Sequence, residues 1–175
     1  MSALILASSS RYRGELLDRL GLAFDQVSPE IDETPGRGEP PEDLVRRLAA
    51  DKARAVANGH PGRVVIGSDQ VAVAGSEILG KPGDRDGAIA QLTRLSGRTV
   101  TFLTGLCVVD SREAEQLAVV PTSVSFRTLS AAEIEAYVDR EQPFDCAGSF
   151  KSEALGIALF DAVRSDDPTA LIGLP

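Results

Sequence analysis

One acidic residue, Asp69, stands just beyond an apolar strand predicted over Val64–Ile66. Ligands of α/β proteins gather at the carboxyl ends of such strands, where a carboxylate can hold a metal ion or accept a proton from water. A turn aspartate that binds neighbouring backbone amides is the alternative interpretation. Asp69 is therefore the first candidate for catalysis.

The segment from Ser8 to Arg13 has the composition of a phosphate site. It lies between an apolar strand over Leu4–Ala7 and the first predicted helix. Free backbone amides and serine hydroxyls could therefore surround a phosphate, with Arg11 and Arg13 available to neutralise its charge. The GxxxxGK[ST] spacing of a P-loop is absent. A serine N-cap followed by solvated arginines would give the same local pattern.

Two lysines and a pair of acids are further candidates. Lys52 falls on the apolar stripe of a helix predicted over 41–58. A buried ammonium needs a carboxylate or phosphate partner, although helical geometry alone favours a lysine that snorkels at the edge of the stripe. Lys81 follows a predicted turn, and Asp32 and Glu33 precede a loop rich in Gly and Pro. Such loop residues are usually solvated surface.

Composition narrows the class of protein. The chain has 175 residues and a formal net charge of −8, which argues against a surface built for nucleic acid or anionic lipid. A small anionic substrate would need a local basic pocket and a divalent cation held by acidic side chains. No segment is apolar enough for a membrane span or a signal peptide, so we expect a cytoplasmic protein with Cys107 and Cys146 as reduced thiols.

Apolar and helical patterns alternate along the chain. Strands are predicted near Leu4–Ala7, Val64–Ile66, Val71–Ala74, Val100–Val109, Ala118–Arg127 and Ile157–Val163. Helices are predicted after Arg13 with a stop at Gly21, over 41–58, over 86–95, and after a capping box at Ser130. A long pair of strands around Ser111–Glu115 adds antiparallel character. The pattern predicts an α/β protein with a mixed central sheet flanked by helices, as one domain or two joined lobes.

Several spaced motifs together resemble the Maf family of nucleotide pyrophosphatases over nearly the whole chain. They are Leu-Ala-Ser-Ser-Ser with Arg13, Asp32-Glu33, Asp-Lys-Ala at 51–53, Gly-Ser-Asp-Gln at 67–70, Leu-Gly-Lys-Pro at 79–82 and Cys-Ala-Gly-Ser-Phe-Lys-Ser-Glu at 146–153. The resemblance implies a single Maf-like domain over 1–175, with the mixed α/β fold of inosine-triphosphate pyrophosphatases and a cleft between two lobes. It also implies dependence on a divalent metal cation, Mg²⁺ or Mn²⁺, and often a homodimer.

The resemblance also assigns roles to residues of this sequence. Asp69 would be catalytic, as general base, metal ligand or both, with Glu33 as a second metal ligand. The triphosphate would be bound by Ser8, Ser10, Arg13, Lys52 and Lys81. Water would attack the α-phosphorus in line and pyrophosphate would leave, its charge met by metal and lysines.

Two motifs resemble the branch of the family that acts on 7-methyl-GTP. They are Ser-Asp-Gln, with Gln70, and Gly-Ser-Phe-Lys-Ser-Glu, with Glu153. A third specificity position, often Trp in that branch, is Tyr12 here, which keeps a flat face for a methylated, positively charged purine. The expected reaction is hydrolysis of 7-methyl-GTP to 7-methyl-GMP and pyrophosphate. The alternatives are the dTTP/UTP pyrophosphatases of the sister branch and a non-catalytic nucleotide-binding regulator of cell division.

Family members usually continue past the motif at 172–175 into a helix. The sequence lacks that helix. An exposed apolar patch, or a stronger need for a dimer partner, is expected from its absence.

Overall fold

The computed structural model of the protein describes residues 3–110 and 115–175. In these ranges the strands are β1 (Leu4–Ala7), β2 (Phe24–Val27), β3 (Val64–Ala74), β4 (Glu77–Leu79), β5 (Thr99–Val109), β6 (Gln116–Phe126) and β7 (Phe160–Ser165). The helices are α1 (Arg11–Asp18), α2 (Pro41–Ala57), α3 (Arg85–Leu95) and α4 (Ala131–Glu141). Two 3₁₀ helices, Ala147–Ser149 and Leu155–Leu159, precede β7.

The described strands form one mixed sheet in the order β2-β1-β3-β5-β6-β7, with β4 paired to β3. β1 runs parallel to both β2 and β3, with Ala7 opposite Gly67 of β3. β4 is antiparallel to β3, and β7 is antiparallel to β6. The α/β prediction with a mixed central sheet is confirmed. β1 is parallel to β2 and β3 because the chain passes through a helix, α1 or α2, before it enters each of those strands.

The chain divides into two compact units. The first contains the described residues of Met1–Gln70, Leu103–Val120 and Asp167–Pro175, and the second contains Val71–Phe102 and the segment from Pro121 to Asp166. The long strands β3, β5 and β6 contribute residues to both units.

In the first unit, α2 packs closely on the sheet through small residues. Ala49 and Ala53 of α2 share a core cluster with Ile5 and Val65. A Cβ atom added at Gly67 would lie 2.3 Å from the Ala49 carbonyl oxygen. The absence of a side chain at Gly67 therefore lets the helix backbone approach the strand that carries Asp69.

In the second unit, aromatic side chains form the core. Phe150 makes edge-on contacts with Phe102, Phe126 and Phe160, at centroid distances of 5.3, 5.6 and 4.7 Å.

The capping box predicted at Ser130 is present at the start of α4. The Ser130 side chain accepts from the Glu133 amide, and the Glu133 carboxylate accepts from the Ser130 amide. That helix begins where the sequence predicts.

The predicted division of residues 64–74 is wrong. Instead of two strands separated by a turn, β3 is continuous over Val64–Ala74, and Asp69 lies inside it. Asp69 is therefore not a turn aspartate, and Gly67, two residues before it, allows close packing against α2. Strands β2 and β4 were not predicted, and the start of the strand predicted over Ile157–Val163 is 3₁₀ helix. Of the strand connection predicted around Ser111–Glu115, residues 111–114 lie outside the described residues.

Candidate active site

A buried lysine joins two carboxylates in the first unit. The Lys52 ammonium nitrogen lies 2.6 Å from Asp69 Oδ1 and 2.9 Å from Glu33 Oε1. The side chains of Lys52 and Asp69 are 8% and 10% exposed, and that of Glu33 is 58% exposed. The snorkelling interpretation of Lys52 is wrong, because its charge is buried and paired. The arrangement is a water-shielded charge pair with one carboxylate reaching it from the solvent side.

Two elements place this pair. Lys52 occupies the buried stripe of α2 with Leu48 and Val56, and Gly67 brings that helix against β3. Gly67 and Asp69 are two residues apart, so their Cα–Cβ directions point to the same face of the strand. Asp69 therefore meets α2, where Lys52 is the side chain that can pair with it.

The predicted phosphate segment forms a tight turn between β1 and α1. Ser8 is buried, its hydroxyl accepts from the Ser10 amide at 3.1 Å, and Ser10 caps α1 by accepting from the Arg13 amide. Arg13 Nη1 also donates to the Ser8 hydroxyl at 3.5 Å. Burial lowers the pKa of the Arg13 guanidinium from its ordinary value, and the carboxylates of Asp69 and Glu33 act against that shift. Arg13 thus lies in the electrostatic field of the Asp69 cluster.

Sequence reasoning missed Gln26, which holds this turn from β2. Its amide nitrogen donates to the carbonyls of Ser8 at 2.8 Å and Ser10 at 3.0 Å. Gly14 leaves room for it, since a Cβ there would lie 2.7 Å from the Gln26 amide oxygen. A four-residue strand with two polar residues gives little pattern. The only available signal was the Gln itself.

Glu33 and Asp69 could supply two carboxylate ligands to a divalent metal ion that is also bound by substrate. In the described ranges no group of three or more His, Cys, Asp or Glu side chains could hold a metal ion. Both carboxylates nevertheless converge on one ammonium nitrogen, so they already surround a cation position. Mg²⁺ is commonly bound by one or two carboxylates, with waters and substrate phosphates as the other ligands. The donor set fits such an ion.

The opposite face of β3 binds the segment 167–175. Ser68 donates to the Gly173 carbonyl at 2.9 Å, and Arg13 Nε donates to the same oxygen at 2.8 Å. The Gln70 amide nitrogen lies within hydrogen-bond distance of the carbonyls of Ala170 and Leu171. Gln70 is thus beside Asp69 in sequence but points to the other face of the strand. Its predicted part in specificity stays a prediction.

Tyr12 already faces a cation. It is half-buried on α1, and the Arg11 guanidinium carbon lies 5.3 Å from the centroid of its ring. Arg11 is exposed and also pairs with Glu15. The ring thus has one face that accepts a positively charged planar group, as a methylated guanine would require.

Two predicted site residues belong to the second unit. Lys81 is exposed in the connection between β4 and α3. Glu153 is exposed between the two 3₁₀ helices, where its carboxylate accepts from the Ser152 hydroxyl at 3.4 Å. Their predicted roles in substrate binding stay predictions.

Comparison with known proteins identifies the family. A family model described as Maf-like protein matches residues 3–175. The chain belongs to the Maf family. One Maf relative, the 7-methyl-GTP pyrophosphatase of Alcanivorax borkumensis, is 56% identical over 173 residues, which cover 98% of this chain and 88% of the relative. The 7-methyl-GTP pyrophosphatase of Xanthomonas oryzae pv. oryzae is 58% identical over 175 residues, covering 100% of this chain and 92% of the relative.

A solved structure supports the fold of this Maf chain. The Staphylococcus aureus Ham1 protein aligns with a TM-score of 0.52 over 87% of this chain and 88% of that chain, at 15% identity. This likeness concerns the fold alone. Of the helices in the described residues, none is long and apolar enough to cross a membrane.

Both cysteines are free, as predicted. Cys107 is buried in the core of the first unit, and burial raises the pKa of its thiol to about 11. The pKa of Cys146 is raised to about 12, mainly by burial and then by Asp145. Neither thiol has the low pKa that is typical of a nucleophilic cysteine.

Proposed function

We propose that the protein is a pyrophosphatase that hydrolyses 7-methyl-GTP to 7-methyl-GMP and pyrophosphate. The observation that carries the proposal is the buried contact of Lys52 with Asp69 and Glu33. Two relatives that are more than half identical to this chain are named 7-methyl-GTP pyrophosphatases, which supports the choice of substrate.

The triphosphate would be held by groups of the Ser8–Arg13 turn. The buried Ser8 hydroxyl and the Arg13 guanidinium are already joined there, and α1 begins at the same turn with its amides directed toward it. Helix N-termini and arginines stabilise phosphate oxygens. Lys52 would exchange a carboxylate for a phosphate oxygen, since a divalent cation at the two acids would replace its charge there. Lys81 is proposed as a further phosphate-binding residue.

Asp69 is the proposed reactive carboxylate. Glu33 and Asp69 would hold Mg²⁺ or Mn²⁺, which when bound supplies charge stabilisation for the phosphates and lowers the pKa of a bound water. Asp69 is poorly hydrated and lies inside β3, so its carboxylate could accept the proton of a water directed at the α-phosphorus. Lys52 and Arg13 would stabilise the negative charge that develops on pyrophosphate as it leaves.

Base recognition is assigned to Tyr12 and Glu153. The Tyr12 ring can stack on a methylated guanine, whose positive charge prefers an aromatic face. The Glu153 carboxylate can accept hydrogen bonds from the amino and imino groups of guanine, which pyrimidines do not present in the same arrangement. We propose that the protein acts in the cytoplasm on this small nucleotide, and a homodimer stays a prediction.

A released-pyrophosphate assay over 7-methyl-GTP, GTP, dTTP and UTP, with MgCl₂, MnCl₂ or EDTA, tests the proposal. We expect 7-methyl-GTP to give the highest kcat/KM and EDTA to stop turnover. Asp69→Asn should lower turnover by about a thousandfold or more, in line with the loss of a group that acts on the reacting atoms. Asp18→Asn, at an exposed position of α1, is the matched control and should keep full turnover.

The same assay separates the alternatives. A preference for dTTP and UTP would place the chain with the sister branch of the family. Tight nucleotide binding in calorimetry, without turnover of any nucleotide under any metal condition, would favour a binding regulator. Turnover of 7-methyl-GTP by Asp69→Asn at the parental rate would contradict the mechanism.

A further inference from the structure

The two faces of β3 have different partners. Gly67 and Asp69 meet α2, through Ala49 and Lys52. Ser68 and Gln70 alternate with them and meet the segment 167–175. A side chain at position 70 therefore reaches the site through that segment and not through the Asp69 face.

Gln70 binds this segment with a dense set of contacts. Its amide nitrogen lies 2.9 Å from the Ala170 carbonyl, 3.1 Å from the Leu171 carbonyl and 2.9 Å from the Thr104 hydroxyl. Thr104 is fully buried and donates its own hydrogen to the Ala170 carbonyl at 2.8 Å. The amide has two hydrogens for three acceptors, so its orientation is strongly restrained.

The segment then folds into a turn that ends at Gly173. The amides of Ile172 and Gly173 both donate to the Thr169 carbonyl, at 3.0 and 3.2 Å. Gly173 has a φ of +123°, which favours glycine at this position. The turn directs the Gly173 carbonyl toward Ser68 and Arg13.

The Gly173 carbonyl fixes the plane of the Arg13 guanidinium. It accepts from Nε at 2.8 Å, and the Ser8 hydroxyl accepts from Nη1 at 3.5 Å. A planar guanidinium held at Nε presents its terminal nitrogens in a set direction, which matters for paired hydrogen bonds to phosphate. A continuous chain of contacts thus runs from Gln70 through the turn to Arg13.

We infer that Gln70 is a positioning residue for phosphate binding. It holds the 169–173 turn so that the Gly173 carbonyl orients Arg13 toward the substrate phosphates. This inference rests on the proposed function for the identity of the substrate, but its test does not require turnover. It assigns to position 70 an effect on the phosphate end of the nucleotide, in place of a contact with the base.

Binding of inorganic tripolyphosphate, measured by titration calorimetry in MgCl₂ buffer, tests the inference because this probe has no base. Gln70→Met keeps the length of the side chain and removes its donors. We expect Gln70→Met to weaken binding about tenfold, since Arg13 would lose an oriented hydrogen bond to the charged phosphate. Gln116→Met, the same change at an exposed position of β6, is the matched control and should bind as the parent does.

A double-mutant cycle with Arg13→Lys tests the route. If Gln70 acts through Arg13, Gln70→Met should add little to the loss caused by Arg13→Lys. Additive losses would overturn the inference, because they would show independent routes. Unchanged tripolyphosphate affinity in Gln70→Met, with a lost preference for 7-methyl-GTP over UTP, would also overturn it and would assign Gln70 to the base.

Hydrogen exchange of peptides that contain residues 169–173 provides a readout that is independent of substrate. The amides of this turn should exchange faster in Gln70→Met, while peptides from α4 stay as protected as in the parent. Unchanged exchange at 169–173 would overturn the inference. A parent that fails to bind tripolyphosphate would overturn it too, whereas a parent that binds tripolyphosphate and hydrolyses no nucleotide would overturn only the proposed function.

Discussion

The two faces of β3 use polar residues in different ways. On the α2 face, the poorly hydrated Asp69 carboxylate lies 2.6 Å from the Lys52 ammonium nitrogen. On the other face, Ser68 and Gln70 are neutral and bind backbone carbonyls of the segment 167–175. A charged side chain that is paired with another charge can change its partner when a charged substrate binds. Neutral side chains that bind backbone carbonyls instead hold a chain segment in place. The two-residue alternation of the strand thus separates a charged face, which would carry the proposed reaction, from a neutral face that holds the segment 167–175.

Removal of the buried cation at Lys52 should give the largest effect on stability. Lys52→Met keeps the aliphatic stem but leaves Asp69 without its buried partner, so we expect a loss of about 3 kcal/mol in the free energy of unfolding. Turnover should fall by at least about a hundredfold, because a cation at the leaving phosphates is also lost. Urea unfolding and the released-pyrophosphate assay measure the two effects.

Arg46→Met is the matched control for Lys52→Met. It removes a cation from the exposed face of the same helix, where Arg46 pairs with Glu42 in an i, i+4 contact. We expect its stability to change by less than about 0.5 kcal/mol. Equal stability of the two variants would mean that the Lys52–Asp69 contact does not balance a buried charge.

A second variant changes the distance between the charged partners. In Gly67→Ala the new Cβ would lie 2.3 Å from the Ala49 carbonyl oxygen and 2.7 Å from the Ala53 nitrogen. Helix α2 must then move away from β3, at a cost of about 1–3 kcal/mol. Turnover should fall together with stability, because Lys52 moves with the helix.

Gly59→Ala separates this steric effect from a general effect of glycine replacement. Gly59 lies just beyond α2, and its added Cβ would lie 3.8 Å from the Val56 carbonyl oxygen, an ordinary van der Waals distance. This control should keep stability and turnover within error of the parent. A stable, fully active Gly67→Ala protein would show that the close approach of helix and strand is not needed.

Substitutions on the opposite face of β3 should change stability and turnover less strongly. Thr104→Val is close to isosteric and removes the hydroxyl that joins Gln70 to Ala170, so we expect a loss of about 1–2 kcal/mol in stability. Turnover should fall only a few-fold, since no charge of the reaction face changes. Thr99→Val, at an exposed position of the same strand, is the control. A loss of turnover as large as that of Lys52→Met would remove the distinction between the two faces.

The contacts on the α2 face of β3 could be predicted from the sequence better than those on the opposite face. Asp69 became a candidate as an acid just beyond a predicted strand, although it lies inside β3. Lys52 and Glu33 were candidates from local sequence, and the family motifs supported them. The burial of Lys52 could not be read from helical geometry, because it depends on how closely Gly67 lets α2 approach. The contacts of Gln70 with residues 170 and 171 span about a hundred positions, and no local pattern carries that information.

Much of the fold followed from the same local signals. The capping box marked the start of α4, and the apolar run over Leu4–Ala7 marked β1 with its observed bounds. β2 escaped prediction because its stability comes from pairing with β1 along the sheet edge and not from its own four residues. Sequence alternation locates buried strands, while short edge strands depend on their neighbours.

The smallest effect on stability and turnover is expected from changes in the loop that contains Glu33, which lies beside Lys52. Arg47 on α2 holds that loop by donating to both carboxylate oxygens of Glu39, at 2.7 and 2.8 Å, and to the Thr34 carbonyl. These bonds to Arg47, together with one from the Gly36 amide, lower the pKa of Glu39 from its usual 4.5 to about 2. A group whose pKa is lower in the folded state stabilises the protein above its unfolded pKa. That contribution is lost as the pH falls from about 4.5 toward about 2.

Glu39→Gln should therefore lower the thermal midpoint most above pH 5, and the difference from the parent should close as the pH approaches 2. Turnover at neutral pH should fall only a few-fold, because Glu33 keeps its own contact with Lys52. Glu42→Gln, in the exposed pair with Arg46, should give a smaller and flatter difference. A midpoint difference for Glu39→Gln that stays constant from pH 6 to pH 2 would show that the Arg47 contact is not linked to folding. The positions of Lys52 and Asp69 would then depend on α2 and β3, and not on the contact between Arg47 and Glu39.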